Sequence, residues 1–119
     1  MIEYFYNIES FEAADGRFSA RISLVKDNPI YRAHFPGHPI TPGACQLEIV
    51  RAVASRAVGS PAAITSVKNL KYVEVVDPAR TDAFTVEGQI APDGELFKCT
   101  ASVADGDTVF TKVSLYLKK

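Results

Sequence analysis

Residues 34–48 read HFPGHPITPGACQLE, and the interpretation of the rest of the chain depends on them. This stretch holds three prolines, two glycines and both histidines of the 119-residue sequence. Proline fixes φ and removes a backbone donor, so the first part of the stretch is predicted to be a rigid loop. Thr41 and Pro42 favour a helix start, with Thr41 as the N-cap. The predicted helix runs from Pro42 to Val58 and ends at Gly59.

The predicted helix is apolar or small over most of its circumference, which is typical of a buried helix. The segments before and after it alternate between apolar and polar residues, as half-buried strands do. Asp15-Gly16 predicts a tight hairpin between the first two strands, and Pro92-Asp93-Gly94 predicts a later turn. Four strands are expected after Pro61. The predicted order is therefore β-β-α-β-β-β-β, in one domain over residues 1–119.

This order predicts an α+β hotdog fold, in which a curved antiparallel sheet of about six strands is wrapped around one long central helix. A single sheet of this kind leaves an edge open, and an open edge favours a dimer.

The composition of the chain limits the partners, cofactors and cellular location that are expected. The net charge is −1 and the hydrophobic content is 47%, so neither nucleic acid nor a membrane is expected as a partner. The first residues lack the features of a secretory signal, and a cytoplasmic location is expected. The two cysteines lack the paired spacing of a zinc site, and no metal or cofactor is expected.

A family resemblance becomes visible in the run from His34 to Gly43 with Glu48 fourteen residues after His34. The run resembles the 3-hydroxyacyl-acyl-carrier-protein dehydratases of the FabZ/FabA type, and Asn28 lies where that family often has Asn. The resemblance implies a lyase of fatty-acid biosynthesis or related lipid metabolism. Such an enzyme removes water from a 3-hydroxyacyl thioester on an acyl-carrier protein and leaves the trans-2-enoyl thioester. A homodimer is expected, and whether such dimers assemble further into a trimer of dimers stays open.

The residue types suit this reaction. A neutral histidine can take the C2 proton near neutral pH, and His34 is the expected base. A carboxyl group on a buried helix face can hold a proton because burial disfavours its charge, and Glu48 is the expected acid for the leaving hydroxyl. Free N–H groups at a helix N-terminus, here those of Gly43 and Ala44, can stabilise an enolate oxygen.

The resemblance adds further expectations about the site. It implies that His34 comes from one subunit and Glu48 from the other, and that the carbonyl of Ile40 orients the imidazole. The expected substrate-binding residues are Gly43, Ala44, Phe35 and Ile40.

Plainer interpretations stay open for several residues. Glu48 could simply pair with Arg51, which would favour its charged form. Cys45 is interpreted as a small residue of the core rather than a nucleophile, and His38 has no expected role. Gln46 could line the site or face a partner subunit.

The sequence also departs from the family pattern. Thr41 replaces a common Met, Ala52 stands where FabZ-type members usually have Gln, and Ala33 precedes the histidine in place of Gly. These differences favour a specialised lipid, polyene or resorcinol-type pathway. An acidic carrier protein would need a basic docking surface, for which the candidates are Arg32, Arg51, Arg56, Lys68, Lys71 and Arg80.

Two rival functions remain open. One is a hotdog thioesterase acting on acyl-CoA or on acyl groups held by a carrier protein, in which the helix acid activates water. The other is a non-catalytic acyl-binding partner subunit.

Overall fold

The computed structural model describes residues 6–25, 43–77 and 81–119, and the order of elements there is the predicted one. Two strands precede the helix, namely β1 (Tyr6–Ala14) and β2 (Arg17–Leu24). The helix α1 spans Gly43–Val58. The four strands that follow it are β3 (Ala63–Tyr72), β4 (Ala83–Asp93), β5 (Leu96–Asp105) and β6 (Thr108–Lys118).

The six strands form one sheet in the order β1-β2-β4-β5-β6-β3, and every neighbouring pair is antiparallel. β1 and β3 are therefore the two edges of the sheet. The helix lies on one face, where it contacts β2, β3, β4 and β5. It has 16 residues, so the long helix expected from the sequence is in fact a helix of ordinary length.

The first hairpin forms as predicted. Asp15 and Gly16 have φ values of 54° and 77°, and the ladder closes with Ala14 opposite Arg17. Positive φ at both central residues is the geometry that Asp-Gly pairs favour in two-residue turns. The predicted alternation of β2 is also confirmed, since its inward residues are buried, namely Phe18, Ala20, Ile22 and Leu24.

The end of α1 is fixed by backbone hydrogen bonds around Gly59. The N–H of Gly59 donates to the carbonyl of Arg56 at 3.2 Å, and the N–H of Ser60 donates to the carbonyl of Ser55 at 3.2 Å. Gly59 has φ 77°, a left-handed conformation that favours glycine. This is the Schellman arrangement, and it confirms the predicted helix stop.

One predicted turn is displaced. β4 continues through Pro92 to Asp93, and the turn falls at Gly94 and Glu95 instead. Pro92 lies beyond Gln89, the last residue of β4 that pairs with β2. At that point β4 has only β5 beside it, so a residue without an N–H group can extend the strand.

The core lies between α1 and the inward face of the sheet. The helix contributes fully buried side chains at Ile49, Val50, Val53 and Ala54. They pack in one cluster with inward residues of the sheet that include Phe84, Val86, Val103 and Leu115. Burying one large apolar side chain of this kind stabilises the fold by about 1.5–3 kcal/mol, so this cluster holds the helix on the sheet.

A buried polar pair sets how α1 is rotated on the sheet. Gln46 is 3% exposed and Thr111 of β6 is 1% exposed, and the Thr111 hydroxyl donates to Oε1 of Gln46. Buried polar groups need partners, so this contact favours one rotation of the helix over its neighbours. The sequence left open whether Gln46 faces a partner subunit. The structure places it against the sheet of its own chain.

Replacing Thr111 with Val should lower the free energy of unfolding by about 1–2 kcal/mol, because a buried amide oxygen loses its hydroxyl donor while the side-chain volume is kept. Urea unfolding followed by circular dichroism measures this change. Thr100→Val is the matched control, since Thr100 is exposed on β5, and its effect should stay within about 0.5 kcal/mol. Equal effects of the two substitutions would contradict the role of the pair.

Candidate functional site

The first turn of α1 presents backbone N–H groups that are not used within the helix. Gly43 begins the helix within the described residues, and the N–H groups of a first helical turn have no acceptors inside the helix. No acidic side chain lies in this turn. The positive end of the helix dipole is therefore not opposed by a carboxylate of the helix itself, and it can stabilise a developing negative oxygen.

Tyr72 lies against this end of the helix. Its hydroxyl and Cζ occupy the space that a β-carbon on Gly43 would fill, so glycine is the residue that lets the ring approach. Tyr72 pairs with Thr111 across the sheet. Its side chain is 49% exposed, and partial burial raises the pKa of its phenol. The sequence did not single out Tyr72, because only the β3–β6 register brings it beside Gly43.

Glu48 forms a bidentate ion pair with Arg51, one turn further along α1. Nε of Arg51 donates to Oε1 at 2.9 Å and to Oε2 at 3.1 Å, and Nη2 donates to Oε2 at 2.6 Å. The two side chains are 33% and 32% exposed. The hydrogen bond to Glu48 is the main cause that raises the pKa of Arg51, ahead of an opposing effect of burial. The pairing that the sequence allowed as an alternative is thus present.

Arg51 is also held from its other side. Its Nη1 donates to the carbonyl of Ala62 at 3.0 Å and to Oγ of Ser55 at 3.4 Å. The N–H of Ala62 donates to the same Ser55 hydroxyl at 3.1 Å. Ala62 directly precedes β3 and is buried. Arg51 therefore links Glu48 to the chain segment that leads from the helix into the sheet.

Cys45 lies one turn before Glu48 and is buried in the core. Burial raises the pKa of its thiol, and the negative charge of Glu48 raises it further. A raised pKa keeps the thiol protonated at neutral pH and makes it a poor nucleophile. This agrees with the interpretation of Cys45 as a small residue of the core.

Part of the predicted site lies outside the described residues. His34, Phe35 and Ile40 are among these, and so are the predicted N-cap Thr41 and Pro42. The backbone of Ala44 belongs to α1, next to Gly43. Of the predicted site residues, the structure therefore describes Gly43, Ala44 and Glu48, all on α1. The position of His34 relative to Glu48 stays a prediction.

A groove of about 1040 Å³ crosses the outward face of the sheet. Polar and charged side chains line much of it, among them Arg17, Glu87 and Lys112, and none of the described residues that line it belongs to α1. It is therefore separate from the candidate site. Within the described part of the chain, no helix has the length and apolar character needed to cross a membrane.

Sequence comparison finds relatives among the 3-hydroxyacyl-[acyl-carrier-protein] dehydratases named FabZ. The chain is 43% identical over 49 residues to FabZ from each of two strains of Thermus thermophilus. The match covers 41% of this chain and 32% of those relatives. The chain thus spans about a third of the length of the curated relatives that it matches.

Solved structures share the hotdog fold of this chain. The dehydratase heterocomplex ApeI:P from Xenorhabdus doucetiae gives a TM-score of 0.75 at 17% identity, covering 95% of this chain and 97% of that one. A hypothetical thioesterase with coenzyme A from Streptococcus pneumoniae TIGR4 gives 0.68 at 14% identity, covering 98% and 88%. At such low identities these likenesses show the fold alone.

The family model of the ApeI dehydratases, described as ApeI-like, matches residues 10–111. That range holds the predicted histidine loop, all of α1 and most of the sheet. Because the match extends over most of the sequence, the chain belongs to the ApeI-like dehydratase family.

Proposed function

We propose that this chain removes water from a 3-hydroxyacyl thioester carried on an acyl-carrier protein and releases the trans-2-enoyl thioester. Membership of a dehydratase family over residues 10–111, a range that includes the His34–Glu48 stretch, is the observation that carries the proposal. The departures at Thr41 and Ala52 support a specialised lipid or polyene pathway rather than bulk fatty-acid synthesis.

In the proposed reaction, His34 removes the C2 proton and the hydroxyl group leaves C3 beside Glu48. The N–H groups of Gly43 and Ala44 stabilise the enolate oxygen of the thioester. Glu48 is five residues beyond Gly43, a rise of about 7.5 Å along the helix axis. Helical side chains lean toward the N-terminus, which brings the carboxylate closer to those amides. Phe35 and Ile40 complete the proposed substrate-binding residues.

The sheet edge at β3 supports a dimer. β3 has ten residues and, among the described strands, β6 as its one neighbour, and several apolar side chains along this edge and just after it are exposed. These are Val67, Tyr72, Val73 and Val75, the last of them 58% exposed. Exposed apolar side chains on an open edge mark a surface for a partner strand. We propose that a second copy of the chain covers this edge, and that such dimers can associate further as a trimer of dimers.

Replacing both Val67 and Val75 with Asp should dissociate the dimer at micromolar concentration, because a charge would be buried at the interface in each copy. Sedimentation equilibrium should give twice 12.9 kDa for the wild type and 12.9 kDa for the variant. A variant with Asp at Thr100 and Lys98, both exposed on β5, is the control and should stay dimeric. A monomeric wild type would contradict the proposed assembly.

Carrier-protein docking is proposed to use Lys68 and Lys71, which are exposed on β3. Arg51, another basic candidate, is engaged by Glu48. Reversing both lysines to Glu should raise KM about two- to thirtyfold for a substrate on an acidic carrier protein, because each exposed charge contributes about 0.2–1 kcal/mol. KM for the same acyl group on pantetheine should not change.

The control for this test reverses Lys98 and Lys118, which are exposed elsewhere on the sheet and give the same change in net charge. It should leave both KM values unchanged. Equal increases for the two pairs of lysines would show a general charge effect instead of a docking surface.

His34→Ala should lower the rate of dehydration by about 10²–10⁴-fold, the usual contribution of a positioned base. The assay follows the absorbance of the trans-2-enoyl thioester formed from a 3-hydroxyacyl thioester. His38→Ala is the matched control and should retain the wild-type rate. An unchanged rate in His34→Ala would rule out the proposed mechanism.

The same assay tests the rival functions. Release of free thiol without enoyl product would indicate a thioesterase, the activity named for the Streptococcus pneumoniae structure of the same fold. Absence of both products from the wild type would indicate a non-catalytic acyl-binding subunit.

A further inference from the structure

The guanidinium of Arg51 is fixed from two directions, and this is unusual for a helix ion pair that is one-third exposed. One edge of the group holds both oxygens of Glu48 through Nε and Nη2. The opposite nitrogen, Nη1, is bound to the buried Ala62 carbonyl and to Ser55. An exposed ion pair contributes little because both side chains must be ordered. Here Arg51 is already ordered by its contact with the chain beyond the helix, so the carboxylate orientation is fixed as well.

The hydrogen bonds leave Glu48 little capacity as a proton donor. An ionised carboxylate has about four acceptor positions, and two N–H groups of Arg51 occupy about two of them: the single one on Nε is shared between both oxygens, and one on Nη2 binds Oε2. A proton on either oxygen would compete with a charge-assisted hydrogen bond, which is among the stronger kinds in proteins. About two acceptor positions are left for a hydroxyl group that approaches from outside the pair.

We propose that Arg51 is a positioning residue that holds Glu48 as an oriented carboxylate, so that Glu48 accepts a hydrogen bond from the substrate's 3-hydroxyl group instead of donating a proton to it. This rests on the proposed dehydration, and it replaces the acid role that the sequence suggested for Glu48. Arg51 does not touch the substrate in this arrangement. It acts through the carboxylate that it holds.

In this arrangement His34 alone both removes the C2 proton and supplies the proton that the leaving hydroxide needs. The imidazole takes the C2 proton as the C2–H bond breaks, and the electron pair moves toward the thioester oxygen as the enolate. Collapse of the enolate then forms the C2=C3 bond as the C3–O bond breaks. The same imidazolium returns its proton to the departing hydroxide, which leaves as water. Glu48 binds the hydroxyl group as a carboxylate and takes no proton from it, so no further acid is required.

The test is a double-mutant cycle on Glu48 and Arg51, using the dehydration assay on the intact protein. Arg51→Gln should lower kcat about 10–100-fold at neutral pH with little change in KM, because a misplaced catalytic group costs rate. In the Glu48→Gln background, the same Arg51→Gln change should alter kcat by less than about twofold, since Arg51 then has no carboxylate to hold. Arg21→Gln is the matched control, because Arg21 of β2 also forms an ion pair, with Asp105 of the sheet, and has no place in the proposed site. It should keep the wild-type kcat.

Each alternative gives a different result. If Glu48 were the proton donor, removing the cation would favour the protonated carboxyl, and Arg51→Gln would be as fast as the wild type or faster. If Arg51 served only to bind the Ala62 carbonyl, Arg51→Gln would lower kcat by the same factor with Glu or with Gln at position 48. Either result overturns the inference, and so does a wild-type rate in Glu48→Gln.

A second variant tests the inference if Arg51→Gln does not fold. Should Arg51→Gln fail to fold, Arg51→Lys keeps the charge but cannot bind both oxygens side by side, and an intermediate loss of kcat is expected. A wild-type kcat for a folded Arg51→Lys would show that Glu48 does not need a guanidinium that binds both of its oxygens. Absence of turnover by the wild type would overturn the proposed function, and this inference with it. Turnover by the wild type and by Arg21→Gln with no change in Arg51→Gln would overturn the inference alone.

Discussion

The structure depends on burying one helix against one sheet. α1 places Ile49, Val50 and Val53 in the core, and the inward side chains of several strands meet them there. Apolar burial holds the helix in place but is not directional. Polar groups on the same helix supply direction, because each must find a partner when water is removed. Gln46 finds Thr111, and Arg51 finds Glu48 and the carbonyl of Ala62.

These polar contacts fix the position of the backbone amides and the carboxylate of α1 relative to the sheet. The Gln46 contact sets the rotation of α1 near its start, and the Arg51 contact ties a later turn to the segment before β3. Gly43 begins the same helix, and Tyr72 at the end of β3 lies against it. A helix fixed at several points can hold a backbone amide and a carboxylate at a constant separation. Such preorganisation is what stabilisation of an enolate requires.

The β3 edge of the sheet has an exposed apolar and basic surface. β3 carries exposed Val67, Lys68 and Lys71, and exposed Val73 and Val75 follow directly after it. An edge of this kind is a site for a partner strand. The same end of β3 brings Tyr72 to the start of α1, so the proposed dimer edge and the candidate site share one strand. A partner that covers β3 would therefore lie close to the proposed chemistry.

Local sequence determined the order of elements, the Asp15-Gly16 hairpin and the helix stop at Gly59. Each depends on backbone preferences within a few residues or on alternation along one strand, and both are visible without the fold. The sequence also marked Glu48 through a family resemblance, but it could not choose between a buried acid and an ion pair.

Tertiary structure decided the surroundings of the helix side chains. Gln46 meets Thr111, which is 65 residues away, and Arg51 meets the carbonyl of Ala62, across the helix end. Tyr72 reaches Gly43 only because β3 pairs with β6 in one register. Such contacts follow from how α1 and the strands pack together, and no local pattern encodes that. The fold class was therefore predictable from the sequence, whereas the contact that ties Arg51, the partner of the candidate carboxylate, to the segment before β3 was decided by tertiary packing.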